Sequence, residues 1–202
     1  PLGQVIAADL ATLVRRIEAG GADSIGLLGS TGTYMFLDRE QRRRAVATAL
    51  AAVTSTPVIV GVGALRTDTA CDLARDAAVE GASGLLLAPV SYTPLTEAEV
   101  YEHFRAVASA TDLPLCIYSN PGTTRFTFSP ALVARLAALP TVTAIKLPLP
   151  AGAPRRSGPA GCGLRPALGP VPDPRRPQDR PCRRRPHGPD HSRPAPAPVA
   201  RR

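Results

Sequence analysis

A single lysine stands out in this sequence: Lys146 is the only one among 24 Lys and Arg residues, and the other 23 are arginine. It ends an apolar, β-branched segment, 142–146, of the kind that forms a buried strand. A guanidinium stays protonated, whereas a lysine in low-dielectric surroundings can lose its proton and attack a carbonyl to form a Schiff base. Because parallel α/β folds place their chemistry at the carboxyl ends of strands, this position favours carbonyl chemistry over a solvated surface lysine.

Two other polar groups follow predicted strands and complement an amine. Gly29-Ser-Thr-Gly32 places two hydroxyls between glycines, where backbone N–H groups and side chains can donate to a carboxylate or a phosphate. Tyr118, at the end of the apolar segment 115–118, offers a phenol that can transfer protons. Each pattern alone is more often a simple turn or a packed aromatic ring. Together with Lys146, at the same end of three strands, they predict one active site.

The strands that position these groups alternate with helical patterns along residues 8–146. Apolar strands are predicted to begin near residues 24, 58, 84, 115 and 142, and helix-capping patterns begin at Asp38, Thr96 and Ser129. The strands are continuously apolar, which predicts a parallel sheet covered on both faces. Their spacing of 26 to 34 residues favours an α/β fold, an incomplete (β/α)8 TIM barrel of about five βα units. An open nucleotide-binding sheet is the alternative.

Residues 1 to about 148 resemble the dihydrodipicolinate synthase / N-acetylneuraminate lyase family of pyruvate-dependent class I aldolases. The resemblance rests on Gly29-Ser-Thr-Gly32, on Tyr118-x-Asn-Pro121, on Lys146 and on the spacing of all three. It implies a lyase in which Lys146 forms an imine with pyruvate or a related 2-keto acid and Tyr118 is the central acid/base. It also implies that Ser30 and Thr31 hold the substrate carboxylate and help to relay protons. The implied site residues are Lys146, Tyr118 and Thr31 for catalysis and Gly29, Ser30, Thr31 and Gly32 for substrate binding. No cofactor is expected, because a protonated imine is itself an electron sink.

Two positions depart from the pattern of this family's synthases. Thr33 stands where the family usually has a glutamate, and Thr123 stands where the synthases carry an arginine for the second substrate's carboxylate. These differences favour a relative that acts on another aldehyde or keto-acid partner. The synthases' tyrosine that reaches a neighbouring subunit has no clear match here, and Tyr92 is at least as well explained by packing of its own loop. A homo-oligomer like those of the family is expected only of an intact barrel.

The sequence divides into two parts of different composition. Residues 1–150, the predicted partial TIM-barrel domain, have a net charge of −1, whereas residues 151–202 have a net charge of +9. Pro, Arg, Ala and Gly make up 38 of the 52 residues of the second part, which predicts a disordered tail because little apolar surface is available to offset the entropy of ordering. This composition is typical of a GC-rich gene translated out of frame. That interpretation is favoured over an arginine-rich arm that binds nucleic acid.

The remaining features limit the class of protein. No run of 18 apolar residues is present, so no membrane partner is expected. Four cysteines without a paired spacing favour a reducing cytoplasm, and those at 162 and 182 do not have the spacing of a zinc finger, so no metal is expected. A first barrel strand is expected before residue 1, and a seventh and an eighth after Lys146. An inactive truncated fragment is therefore the alternative to a working lyase.

Overall fold

The computed structural model describes residues 6–148, so the predicted tail at 151–202 and the end of the predicted domain at 149–150 lie outside the described residues. Five strands and six helices occur in this range, together with two short 3₁₀ turns. The strands are β1 (Ile25–Leu27), β2 (Val58–Gly61), β3 (Gly84–Leu87), β4 (Leu115–Tyr118) and β5 (Val142–Lys146). The helices are α1 (Ala7–Ala19), α2 (Arg39–Ala52), α3 (Thr67–Glu80), α4 (Glu97–Ala108), α5 (Pro121–Thr124) and α6 (Pro130–Ala137). Across residues 6–148, none of these helices is long and apolar enough to span a bilayer.

Three helix starts follow the capping residues that the sequence predicts. The Asp38 side chain accepts the Gln41 N–H at 2.7 Å, and the Gln41 side chain accepts the Asp38 N–H, so a capping box begins α2. Thr96 and Glu99 form a second capping box at the start of α4, and Ser129 caps α6 by accepting a backbone N–H. These bonds satisfy N–H groups that the first turn of a helix leaves unpaired. The three predicted starts are confirmed.

All five strands run parallel and pair in sequence order, β1-β2-β3-β4-β5. Along the sheet, α1 packs on α2, α2 on α3, α3 on α4 and α4 on α6. An open nucleotide-binding sheet reverses its strand order at a switch point, and no reversal occurs within residues 6–148. Strands in sequence order, each followed by a helix that packs on the next helix, form the wall of a (β/α)8 barrel. The predicted α/β fold, about five βα units of an incomplete TIM barrel, is confirmed.

The core lies between the sheet and the helices, and it is densest around β2, β3 and β4. Every residue of β3 is buried, and small alanines on the inner faces of α2 and α3 let these helices lie close to the sheet. The continuous burial predicted for every strand is wrong for β1, whose central Gly26 is exposed, and for β5, in which all five residues are only half-buried. β5 lies at an edge of the described sheet and has a strand neighbour on one side only.

One close backbone contact fixes the turn that follows β1. Leu28 has a left-handed backbone with φ of 56°, which is uncommon for a residue other than glycine. Its carbonyl oxygen packs against Gly61 at the end of β2, where a Cβ atom would lie 2.0 Å from that oxygen. Only glycine fits at this position. The contact sets the direction in which the chain leaves β1 and enters the predicted hydroxyl turn.

Gly61→Ala should therefore destabilise the protein by about 3 kcal/mol, because the Leu28 carbonyl must move to admit a methyl group. Urea unfolding followed by circular dichroism, with amide hydrogen exchange in β1 and β2, measures the change. Gly26→Ala is the matched control, since no atom lies within 4 Å of the Cβ position at Gly26 in β1. The control should change the free energy of unfolding by less than about 1 kcal/mol. Equal losses in the two variants would contradict the proposed contact.

Candidate active site

The predicted polar groups all lie at the carboxyl end of the sheet. β1 leads into the hydroxyl turn, β4 ends at Tyr118 and β5 ends at Lys146. β4 and β5 pair so that Tyr118 stands opposite Lys146. The Lys146 Nζ lies 4.1 Å from the centroid of the Tyr118 ring, in a cation–π contact. Two of the three predicted catalytic side chains are therefore in direct contact.

A bulge in β5 produces this pairing. The register between β4 and β5 shifts by one residue after their first pair, which leaves Thr143 outside the pairing. If the register of the first pair continued without this shift, Ile145 instead of Lys146 would stand opposite Tyr118. A shift of one residue also turns every following side chain to the other face of a strand. The bulge thus brings the amine beside the phenol.

Tyr118, Ser30 and Asn120 form a closed triangle of hydrogen bonds. The Tyr118 hydroxyl donates to Ser30 Oγ at 3.4 Å. The Asn120 side-chain amide donates to Tyr118 Oη at 3.0 Å and to Ser30 Oγ at 3.4 Å. All three residues are half-buried. The triangle links the loop after β1 to the end of β4, so the three predicted groups belong to one site.

Thr31 does not join this triangle. The hydroxyl turn is a 3₁₀ turn, in which successive side chains point about 120° apart. The structure therefore brings Ser30 to Tyr118, while Thr31 is exposed and makes no hydrogen bond to the phenol. The Gly32 N–H donates to the Gly29 carbonyl at 2.9 Å and closes the turn. Within residues 6–148, the N–H groups of Ser30 and Thr31 make no hydrogen bond, so they are available to an anion.

Sequence reasoning assigns no role to Asn120, although this residue lies in the motif that carries the resemblance. Tyr118 is the last residue of β4, and Asn120 lies two positions beyond it, just before α5. Alternate residues of a strand share a face, and this alternation continues past the end of β4. That alternation is the sequence feature that could have identified it. The chain contains no other asparagine.

The surroundings of Tyr118 favour its ionised form. Burial alone would raise the pKa of the phenol. The hydrogen bonds with Ser30 and Asn120 and the positive charge of Lys146 outweigh burial and lower the pKa of Tyr118 below its ordinary value of 10.0. A phenol whose pKa lies closer to neutral pH is a stronger acid, and more of its ionised form is present to act as a base, which suits it to acid/base catalysis.

Two other ionisable groups at this end of the sheet are shifted in the opposite direction. Burial raises the pKa of the Cys116 thiol to about 11, so this thiol stays protonated near neutral pH and is a poor nucleophile. Burial also raises the pKa of Tyr34, whose ring lies 5.0 Å from the Arg42 guanidinium. Of the phenols of Tyr34 and Tyr118, the one of Tyr118 therefore has the lower pKa. The environment thus favours ionisation of Tyr118 and opposes that of Tyr34.

Strained backbone conformations are concentrated in the loops that carry the site. Leu28 and Thr33 flank the hydroxyl turn, and Arg125 ends α5, the turn that follows Asn120. These three are the non-glycine residues with positive φ among residues 6–148. Such conformations cost on the order of 1 kcal/mol each and persist where the surrounding structure holds them. The sheet, and not local preference, therefore fixes the geometry of these loops.

The positions that depart from the synthase pattern have distinct surroundings. Thr33 is exposed beside the hydroxyl turn. The Thr123 hydroxyl donates to the Asn120 carbonyl at 3.2 Å, so this residue supports the turn after β4. Tyr92 is 97% exposed, and packing of its own loop does not account for it within the described residues.

Comparison with known proteins identifies relatives that match most of this chain. Residues 1–149 match the dihydrodipicolinate synthetase family. A 4-hydroxy-tetrahydrodipicolinate synthase from Pelobacter propionicus is 37% identical over 144 residues, which cover 69% of this chain and 50% of that relative. Another, from Hyphomonas neptunium, is 37% identical over 145 residues and is covered to the same 50%. The chain thus spans about half the length of the curated relatives that it matches.

Solved structures match the fold over a similar share of the chain. A dihydrodipicolinate synthase from Agrobacterium tumefaciens is 56% identical with a TM-score of 0.72, over 74% of this chain and 51% of that chain. A prophage protein of the dihydrodipicolinic acid synthase family from E. coli K12, solved in complex with pyruvate, is 29% identical with a TM-score of 0.68. That match covers 71% of this chain and 49% of the E. coli protein.

The contact between Lys146 and Tyr118 predicts the effect of removing the amine's charge. Lys146→Met should raise the pKa of Tyr118, because the nearby positive charge stabilises the phenolate. Lys146→Arg keeps a cation at the same position and should leave the pKa of Tyr118 closer to that of the unchanged protein. Titration of ¹³C-labelled tyrosine side chains, with the Tyr118 signal assigned from Tyr118→Phe, measures both shifts. An unchanged Tyr118 titration in Lys146→Met would show that the two groups do not interact.

Proposed function

The chain belongs to the dihydrodipicolinate synthetase family, and we propose that its activity is that of a pyruvate-dependent class I aldolase, a lyase. In this proposal Lys146 forms a Schiff base with pyruvate or a related 2-keto acid, and a carbon–carbon bond is then formed or cleaved. The observation that carries the proposal is the contact of the Lys146 amine with Tyr118, which is in turn bonded to Ser30. An amine, a phenol and a hydroxyl in contact supply the nucleophile and the proton relay that imine formation requires.

The keto acid binds with its carboxylate at the hydroxyl turn in this proposal. The N–H groups of Ser30 and Thr31 make no hydrogen bond among residues 6–148 and are free to donate to it. Gly29 and Gly32 leave the turn open, since no atom lies within 4 Å of the Cβ position at either glycine. Backbone donors of this kind bind anions without any cationic side chain. The hydroxyls of Ser30 and Thr31 add further donors.

Imine formation begins when the neutral amine of Lys146 attacks the keto carbon of the substrate. The carbonyl oxygen takes up a proton from Tyr118, and the nitrogen gives one to the resulting Tyr118 phenolate, which yields a neutral carbinolamine and restores the phenol. A further proton, passed through Tyr118 and Ser30, lets the hydroxyl group leave as water and produces the protonated imine. The phenol is thus needed as an acid and then as a base, which its lowered pKa favours.

Carbon–carbon chemistry then proceeds through an enamine. Tyr118 removes a proton from the carbon next to the imine, and the electron pair moves toward the positively charged nitrogen. The enamine carbon attacks the carbonyl of an aldehyde or keto-acid partner, and a proton from Tyr118 neutralises the new alkoxide. Hydrolysis of the imine by water releases the product and restores Lys146. The reverse sequence cleaves the same bond.

Relatives and composition support this assignment. The E. coli family member and a dihydrodipicolinate synthase from Acinetobacter baumannii were both solved in complex with pyruvate. The family match ends at residue 149, next to the change in composition, so we assign catalysis to residues 1–150 and regard 151–202 as an out-of-frame extension. The free thiols of Cys71 and Cys116 agree with a cytoplasmic enzyme. Thr123, where the synthases carry an arginine, favours a second substrate other than that of the synthases.

Sodium borohydride added together with pyruvate should leave a reduced pyruvyl group on Lys146. The imine is trapped because hydride converts it to a stable secondary amine, and peptide mass spectrometry locates the adduct. Lys146 carries the chain's only side-chain amine, so the N-terminal amine is the internal comparison. Lys146→Arg should abolish the side-chain adduct while the background at the N-terminus is unchanged. Labelling confined to the N-terminus of the unsubstituted chain would remove the proposed mechanism.

Tyr118→Phe should slow proton transfer by about 10²–10⁴-fold, the usual contribution of a positioned acid/base. Exchange of the pyruvate methyl protons with D₂O, followed by proton NMR, reports enamine formation without knowledge of the second substrate. Binding of pyruvate should weaken much less, since the phenol does not hold the carboxylate. Tyr101→Phe is the control, because Tyr101 lies on α4 against Arg135 and outside the site. An unchanged exchange rate in Tyr118→Phe would contradict the acid/base role and leave this tyrosine with packing alone.

A further inference from the structure

Asn120 is held in place more firmly than a surface turn requires. Its carbonyl oxygen accepts four hydrogen bonds, two from backbone N–H groups and two from hydroxyls. The donors are the N–H and the Oγ1–H of Thr123 and of Thr124, at 3.0 to 3.2 Å. The backbone of Asn120 is therefore fixed by the first turn of α5. A side chain on so constrained a backbone is pre-organised before any ligand binds.

The side-chain amide of Asn120 fits the triangle in one orientation. With Nδ2 toward Tyr118 and Ser30, its two N–H groups supply one donor to each oxygen, and one hydroxyl is left to donate to the other. All three contacts of the triangle are then satisfied. With Oδ1 in that place, both hydroxyls would donate to the amide oxygen. No proton would then be left for the 3.4 Å contact between Tyr118 Oη and Ser30 Oγ. The donor orientation is therefore the one that closes the triangle.

We propose that Asn120 is a positioning residue that orders proton transfer between Tyr118 and Ser30 by donating to both of their oxygens. The inference rests on the proposed function of this site, and it adds a residue to which the sequence analysis assigns no role. Because both oxygens receive an amide N–H, the two hydroxyl protons are left for each other and for the substrate. When Tyr118 donates to Ser30, the serine proton points away from the pair. When Ser30 donates to Tyr118, the phenol proton is the free one.

The same arrangement makes Asn120 a stabiliser of the phenolate. When Tyr118 has given up its proton, its oxygen can accept from Asn120 and from Ser30, and the Lys146 cation lies against its ring. A hydrogen bond to an ionised group is stronger than one between neutral groups. Removing the amide should therefore make the phenol harder to ionise. The direction in which the pKa of Tyr118 changes distinguishes a donor from an acceptor at the position of Asn120.

The test is a titration of ¹³C-labelled tyrosine in the full 202-residue chain, which needs no substrate. Asn120→Leu has a side chain of similar shape without donors, and it should raise the pKa of Tyr118 by about 1, as the loss of one hydrogen bond to a charged group predicts. Asn120→Asp places a negative acceptor against the phenol and should raise the pKa of Tyr118 further. Tyr92, which is 97% exposed, is the internal reference, and Tyr118→Phe assigns the signal.

Thr123→Val is the matched control within the same turn. It removes one hydroxyl from the Asn120 carbonyl but leaves the amide in place, so the pKa of Tyr118 should stay within about 0.3 of the unsubstituted value. A lowered or unchanged pKa in Asn120→Leu would overturn the proposal, since it would mean that the amide accepts from the phenol or does not touch it. If Asn120→Leu does not fold, Asn120→Asp decides alone, and an unchanged Tyr118 pKa in that variant is the overturning result.

A kinetic measurement separates positioning from a merely structural role. In Asn120→Leu, exchange of pyruvate methyl protons with D₂O should slow by about tenfold, and its pH profile should move to higher pH in step with the Tyr118 titration. The apparent binding constant for pyruvate should change little. If borohydride traps no adduct on Lys146, the proposed function fails while the titration still decides the role of Asn120. If the adduct forms and the titration does not move, only the inference about Asn120 fails.

Discussion

The pairing of β4 with β5 is the constraint on which the rest of the site depends. Parallel strands bring their carboxyl ends to one face of the sheet, but they do not decide which side chains meet there. The register decides it, and here the extra residue Thr143 places Lys146 opposite Tyr118. Bulges are found beside active sites because they redirect a side chain at small cost to the sheet. A backbone irregularity thus brings the proposed nucleophile and the proposed proton relay together.

The electrostatic properties of the site follow from this placement. Burial raises the pKa of the Cys116 thiol and of the Tyr34 phenol, and it would do the same for Tyr118. Tyr118 differs because it has the Lys146 charge on its ring and two polar side chains at its oxygen. Within one strand, deep burial thus raises the pKa of the Cys116 thiol, whereas polar and charged partners lower the pKa of the half-buried Tyr118 phenol. Depth of burial and the neighbouring groups together set which of the two ionises more readily.

Sequence patterns predicted the elements and most of the site, because these depend on local rules. Capping residues such as Asp38 and Thr96 fix helix starts through bonds that span three residues, and apolar segments mark strands that are buried on both faces. The polarity of the strands then placed Lys146 and Tyr118 at the same end. What the sequence did not predict depends on geometry between elements. The choice of Ser30 over Thr31 follows from the 3₁₀ turn, and the exposure of β5 follows from its place at a sheet edge. The bulge in β5 and the hydrogen bonds of Asn120 also depend on geometry between elements, and the sequence did not predict them.

The side chains of the candidate site all lie in the part of the chain that matches the family, although this part spans only about half the length of the relatives. The strand ends that supply the amine, the phenol and the hydroxyl belong to β1, β4 and β5, and all of them lie within the part that matches the family. Chemistry in such a fold also needs low-dielectric surroundings, since exposure to water weakens every electrostatic interaction at the site. Tyr118 has neighbours on both sides of its strand, whereas Lys146 lies on a half-buried edge strand. The groups of the proposed proton relay therefore lie within the described residues, and the solvation of the amine depends on what covers the side of β5 that has no strand neighbour among those residues. For this reason trapping of the imine and titration of the phenol test different properties of one site: the first reports how Lys146 is enclosed, and the second reports how Tyr118 is held.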